Sequence, residues 1–215
     1  MDADFEAIRE SLRTLRKSKE TPKVFGAEMH KFRTHRPLIE EDVREFERER
    51  QVELPSEYRG FLIHVGNGGA GPAYGLFKLG EMDDGFGHGP WGEGFVGDLS
   101  EPFPHTGPWN DLSGRPEFDE ERADDEEWED EYNRQLDAWE NEHYWTPLDG
   151  AIPICHLGCA SRQWLVVTGP EAGNVWCDDR ADEGGLKPLQ REGLERVTFL
   201  QWYMHWLDDA LRQIR

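Results

Sequence analysis

Hydrophobic positions recur at helical spacing in the first third of the chain and gather into short β-branched and aromatic runs in the last third. Phe5, Ile8, Leu12 and Leu15 form one helical stripe. Phe25, Met29 and Phe32 form a second, shorter set, bracketed by Pro22 and Pro37. Ile39, Val43 and Phe46 lie among charged residues, the pattern of a surface helix. The next helix has a programmed start and stop. Pro55 suits a first helical position, because its missing N–H would be unpaired there in any case. Tyr58, Phe61, Leu62 and Val65 give the helix one apolar face, and Asn67-Gly68-Gly69 ends it. Tyr74 to Leu79 is then the best strand before a region rich in Gly and Pro.

Further on, Trp128, Tyr132, Leu136 and Trp139 step by four, four and three, which predicts an amphipathic helix. Ile152 to Cys155, Trp164 to Thr168 and Val175 to Cys177 predict a meander of antiparallel strands. Thr198 and Gln201 have the spacing of a capping box. They open a last helix whose apolar face is Phe199, Trp202, Tyr203, Trp206, Ala210 and Leu211. No internal repeat is present.

The run Leu54-Pro55, Tyr58, Phe61-Leu62 and Asn67-Gly68, with the order of elements after it, closely resembles the SUKH superfamily of bacterial toxin-immunity proteins and fungal cell-wall regulators. The likeness covers about residues 38 to 212. It implies an α+β fold, a curved and mainly antiparallel sheet packed by helices, used to bind other proteins. On this reading residues 1–36 are a helical N-terminal extension. Residues 37–215 are the SUKH-like domain, with an acidic insertion at about 111–145.

Composition changes the picture in one respect, which is charge. The 215 residues carry a net charge of −21. Residues 1–50 balance at 12 bases and 12 acids, whereas residues 101–150 hold 17 acids against 3 bases. Ten of the thirteen residues from 119 to 131 are acidic. Such a field repels nucleic acid and anionic membranes and attracts a basic partner. No run approaches a membrane span of about 20 apolar residues. The N-terminal MDADFEAIRE lacks the pattern of a signal peptide, so a cytoplasmic protein with reduced Cys is expected.

Candidate chemistry adds little. Cys155, His156, Cys159 and Cys177 are zinc-ligand types, but buried thiols in a β-core explain them more simply. The pairs Asp83-Asp84, Asp124-Asp125, Asp178-Asp179 and Asp208-Asp209 arise readily among 45 acids. Gly85, Gly87 and Gly89 lack the following helix of a dinucleotide fingerprint. No catalytic residue, metal or cofactor is expected. The resemblance implies an immunity protein that occludes a cognate toxin, a basic nuclease in the expected case. A regulatory scaffold of the fungal type is the alternative, and a metal-dependent hydrolase the third reading. The expected partner-binding residues are Asp119, Glu120, Glu121, Asp124, Asp125, Glu126, Glu127, Glu129, Asp130 and Glu131. Trp109, Trp128 and Tyr132 are expected to supply aromatic anchors. The oligomeric state is open.

Overall fold

A four-stranded antiparallel meander organises the molecule, a computed structural model that describes residues 2–20, 23–83, 88–92 and 94–215. Pro22, Asp84, Gly85, Phe86 and Gly87, on which some sequence expectations rest, lie outside the described residues. The strands are β3 (Ala151–Gly158), β4 (Ser161–Val166), β5 (Val175–Asp178) and β6 (Leu186–Pro188), in the order β3-β4-β5-β6. A two-stranded ribbon, β1 (Glu81–Asp83) with β2 (His88–Pro90), forms a separate sheet beside β3. The chain is therefore α+β.

Alternation along the strands sends side chains to two cores. Leu165 and Val175 face the helices, while Trp164, Val166 and Trp176 face the loops on the other side. The register shift between Pro153 and Cys155 breaks the alternation and gives both Ile154 and Cys155 to the helix side.

Three helices cover that side: α1 (Asp2–Lys17), α4 (Ser56–His64) and α6 (Phe199–Gln213). Phe5, Ile8, Leu12 and Leu15 of α1 are all buried. Tyr58, Phe61 and Leu62 of α4 are buried against α6, with Phe61 4.8 Å from Tyr203 and 5.2 Å from Phe199 between ring centroids. The capping box of α6 forms: Gln201 Oε1 accepts from Thr198 N at 3.0 Å, and Thr198 Oγ1 from Gln201 N at 3.5 Å. Trp202 Nε1 donates to Gln163 Oε1 at 3.0 Å and Tyr203 Oη to Ala70 O at 2.7 Å, so the helix is tied to β4 and to the loop after α4 by satisfied polar groups as well as by area.

Several local expectations are corrected. Pro55 is the N-cap of α4, one position before the helix. Tyr74 to Leu79 is not a regular strand. Leu76 makes one bridge to Cys155 and one to Gly69, which bridges to Thr34, so the sheet continues past β3 by single residues. The many Gly of this stretch, with Gly68, Gly69 and Gly75 at φ of 79°, 97° and 103°, hold it in turns. Phe25 and Met29 face outward, 66% and 67% exposed, while Val24, Ala27, His30 and Phe32 are buried. The helix there, α2 (Ala27–His30), lasts one turn before Lys31 and Phe32 reverse the chain at φ of 51° and 54°. In α3 (Glu40–Arg50) Val43 is buried, but Ile39 is the exposed N-cap. Cys159 is exposed in the β3–β4 turn at φ 47°, not a buried core thiol. The short strand β6 escaped detection because Pro188 and only three residues give no period.

Two outcomes follow. Phe61→Ala is expected to cost about 3–5 kcal/mol of unfolding free energy in denaturant titration, and a loss under about 1 kcal/mol would contradict its central position. Burial pushes the His30 pKa down to about 4, with the Gly71 backbone opposing only in part. The unfolded chain then binds the proton first as pH falls below 6.5, and stability is lost between pH 6.5 and about 4. This group's share is about 3 kcal/mol, and urea titrations of His30→Gln should show a flatter pH profile in that window.

Candidate functional site

The acidic segment is ordered by its own carboxylates. Asp119 accepts from Glu121 N at 3.0 Å and caps a single 3₁₀ turn, Glu120–Arg122. Asp125 accepts from Trp128 N at 3.2 Å and caps α5 (Glu126–Trp139). Arg122 hydrogen-bonds Asp125 at 3.1 Å and holds its carboxyl below the usual range, helped by the Trp128 backbone N–H. The Arg122 guanidinium also lies 5.4 Å over the Trp128 ring. Glu126, Glu127 and Glu129 occupy the first turn of α5, where the helix dipole favours them. Glu131 pairs with Arg134 at 2.6 Å. Among the described residues Glu120, Glu121, Asp124, Glu126, Glu127, Glu129 and Asp130 have no ion-pair partner, so their charge faces solvent.

This helix buries no residue of its own. Trp128 and Tyr132 stack 5.5 Å apart, and each meets Phe118 at 5.2 Å. The trio is half-covered, with Phe118 49% exposed.

The other end of α5 is rooted in the protein. A π-helical turn, Glu140–Tyr144, carries the chain on to Tyr144, which is buried. Tyr144 stacks with Trp139 at 5.5 Å and with Trp109 at 5.7 Å. Its hydroxyl donates to Asn110 Oδ1 at 2.7 Å, and Trp139 Nε1 donates to Ser113 O at 3.0 Å. Trp109 in turn exchanges two backbone hydrogen bonds with Leu186 of β6, at 2.8 and 2.7 Å. Beneath them Arg180 is buried. It donates from Nη2 to Asp178 Oδ2 and from Nε to Asp178 Oδ1, both at 2.9 Å, and from Nη1 to the carbonyls of Tyr144 and Thr146 at 2.8 and 3.2 Å. Its guanidinium covers the Trp145 ring at 5.2 Å.

The expected aromatic anchors therefore fall in two places. Trp128 and Tyr132 sit with the acids near the start of α5. Trp109 sits at the root, against Tyr144, beyond the end of α5 at Trp139, which the rise of eleven helical residues puts about 16 Å from Trp128. Spacing did not reveal Phe118, Tyr144, Asp178 or Arg180 as members of this arrangement. Asp178 was visible only as half of an Asp pair, and its true partner lies two residues on. Beside Trp109 an apolar groove of about 470 Å³ runs along Leu186 and Pro188 of β6.

Other chemistry is sparse. No group of three or more His, Cys, Asp or Glu among the described residues could hold a metal ion. Burial pushes the thiols of Cys155 and Cys177 up, away from the reactive thiolate. Among the described residues no helix is long and apolar enough to cross a membrane.

Residues 37–190 match a family model described as the SMI1/KNR4 family (SUKH-1). The matched region holds α3, α4, the acidic segment and the whole meander, while α1 and α6 flank it. Comparisons with curated proteins and with solved structures returned no match.

Removing one partner of the buried pair leaves the other charged and unsatisfied. Arg180→Met is expected to cost about 3–5 kcal/mol in equilibrium unfolding. Replacing both partners, Asp178→Leu with Arg180→Met, should cost clearly less than the single change. Equal losses would mean that the pair is not coupled.

Proposed function

This chain belongs to the SMI1/KNR4 family (SUKH-1), and on that premise we propose that it is an immunity protein that binds a basic toxin and neutralises it by occlusion. The family is one of immunity and regulatory protein-binding domains, generally without catalysis. The observation that carries the reading is the set of unpaired carboxylates displayed on a helix whose far end is held through Tyr144 by Trp109, Asn110 and Arg180. A cleft that handles nucleic acid is lined with Lys and Arg to meet phosphates. Carboxylates on α5, spaced by a rigid helix, offer such a cleft an alternative anion. Trp128, Tyr132 and Phe118 beside them supply apolar area that a partner would cover, and Trp and Tyr are favoured anchors. A nuclease toxin is the partner this arrangement fits best. Binding of this kind blocks access and needs no group transfer.

Each exposed charge adds little to folding, and α5 buries no residue, so reversing them weakens the first turn of α5 without unfolding the domain, which a melting curve checks. A toxin recovered with the protein from its host would be titrated against wild type and against Glu126→Lys/Glu127→Lys/Glu129→Lys/Asp130→Lys. The wild-type association rate should fall on the order of tenfold from low to high salt, with a smaller change in dissociation. The reversed variant should associate on the order of a hundredfold more slowly at low salt. Equal rates for the two proteins would remove the acidic segment from the interface.

A further inference from the structure

A second surface has the opposite character. Of the large hydrophobic side chains that the described residues leave exposed, Phe25, Met29 and Tyr74 lie together. Phe25 meets Tyr74 edge-on at 5.5 Å, and Met29 and Tyr74 line one cavity of about 420 Å³ with Arg33. Lys31, Arg33 and Arg36 are exposed in the same segment and have no carboxylate partner among the described residues. From residue 25 to 37 the three cations face one acid, Glu28. Aromatic residues, Met and Arg are the types enriched where proteins meet, and a grouped apolar patch on a surface needs a cover.

Its place in the fold matters as much as its composition. Thr34 bridges to Gly69, Gly69 to Leu76 and Leu76 to Cys155, so this patch hangs from the β3 edge of the sheet. Tyr74 N also donates to His156 O of β3 at 3.4 Å. The acidic helix is rooted through Trp109 and Leu186 at the β6 edge, the opposite one. One molecule thus carries a cationic apolar patch on one edge and an acidic segment with exposed Phe118 on the other.

We infer that the patch around Phe25, Met29, Tyr74 and Arg33 docks the acidic segment, residues 119–131, of a second copy of this chain. Two facts favour this occupant: ten acids against one Arg in the segment complement the uncompensated cations, and the half-covered aromatics beside the acids complement the apolar surface. The two surfaces are attached at opposite edges of the sheet and are different in kind, so the association is head-to-tail and leaves one free surface of each kind at the ends of every open assembly. The net charge of −21 opposes association at low salt. At physiological ionic strength the screening length is about 8 Å, so distant charges fade and the adjoining opposite charges decide. The inference does not rest on the toxin reading, because it concerns the purified protein alone.

The test uses two variants, each weakened at one surface. Met29→Ser/Arg33→Ser takes the central apolar side chain and its neighbouring cation out of the patch. Glu126→Gln/Glu127→Gln/Glu129→Gln/Asp130→Asn removes the charge of the segment. All these positions are exposed, and cooperative melting confirms that each variant folds. In sedimentation velocity at about 0.15 M salt, the wild-type average mass should rise above 24.9 kDa with concentration. Each variant alone should stay at that mass, and an equal mixture of the two should form a one-to-one complex. Salt at about 1 M should return the wild type to monomer. A wild type that stays monomeric at every concentration overturns the inference. So does a mixture that forms no complex, since patch-to-patch contact would give that result, and so does association that survives both sets of changes.

Discussion

The buried Asp178–Arg180 pair is the constraint on which the functional half of the structure depends. Two charges removed from water cost several kcal/mol each unless their remaining hydrogen-bonding capacity is used. Here it is used. Asp178 accepts from Arg180 N, Nε and Nη2 and from Trp164 Nε1, and Arg180 Nη1 spans the carbonyls of Tyr144 and Thr146. The pair therefore fixes the end of β5 to the turn that leads out of α5. An apolar replacement could equal it in stability, but it would supply no donors to those two carbonyls and would leave the position of the turn less defined.

From that fixed point the acidic surface follows in order. Tyr144 is held by its carbonyl and its hydroxyl, and Trp139 and Trp109 both stack on it. The helix α5 leaves this stack without burying a residue, so its position is set at the base. Beyond the helix dipole at its first turn and the pair of Glu131 with Arg134, its carboxylates have no partner in the fold and contribute little to it. They are available to a partner for that reason, and a partner meeting a rooted helix has less ordering entropy to overcome than one meeting a free chain.

Much of the fold is legible in the sequence where the determinants are local. The apolar face Tyr58, Phe61 and Leu62, the capping box at Thr198 and Gln201, and the stripe Phe5, Ile8, Leu12 and Leu15 each depend on a few neighbouring residues, and each is present, although α4 ends at His64 with Val65 as its C-cap, ahead of the expected stop at Asn67-Gly68-Gly69. The features that escaped depend on distant partners. Leu76 looks like the middle of a strand, yet the glycines before it allow only single bridges to Cys155 and Gly69. Phe25 and Met29 have helical spacing, but a one-turn helix cannot bury that face, and the reversal at Lys31 and Phe32 selects Ala27 and His30 in their place. The acids at 119–131 were plain from composition. What roots them was not, because Arg180 reaches carbonyls more than thirty residues away and spacing carries no trace of that.

Amide hydrogen exchange on the free and toxin-bound protein tests the central claim most directly. The exposed first turns of α5, from Glu126 to Tyr132, and the 3₁₀ turn at Glu120–Arg122 should exchange readily in the free protein, while amides near Tyr144 should already be protected. Toxin should then slow exchange in residues 119–132 strongly and leave α1 and α6 unchanged. Protection that appears only along β6 and its groove, with residues 119–132 exchanging as before, would contradict the account.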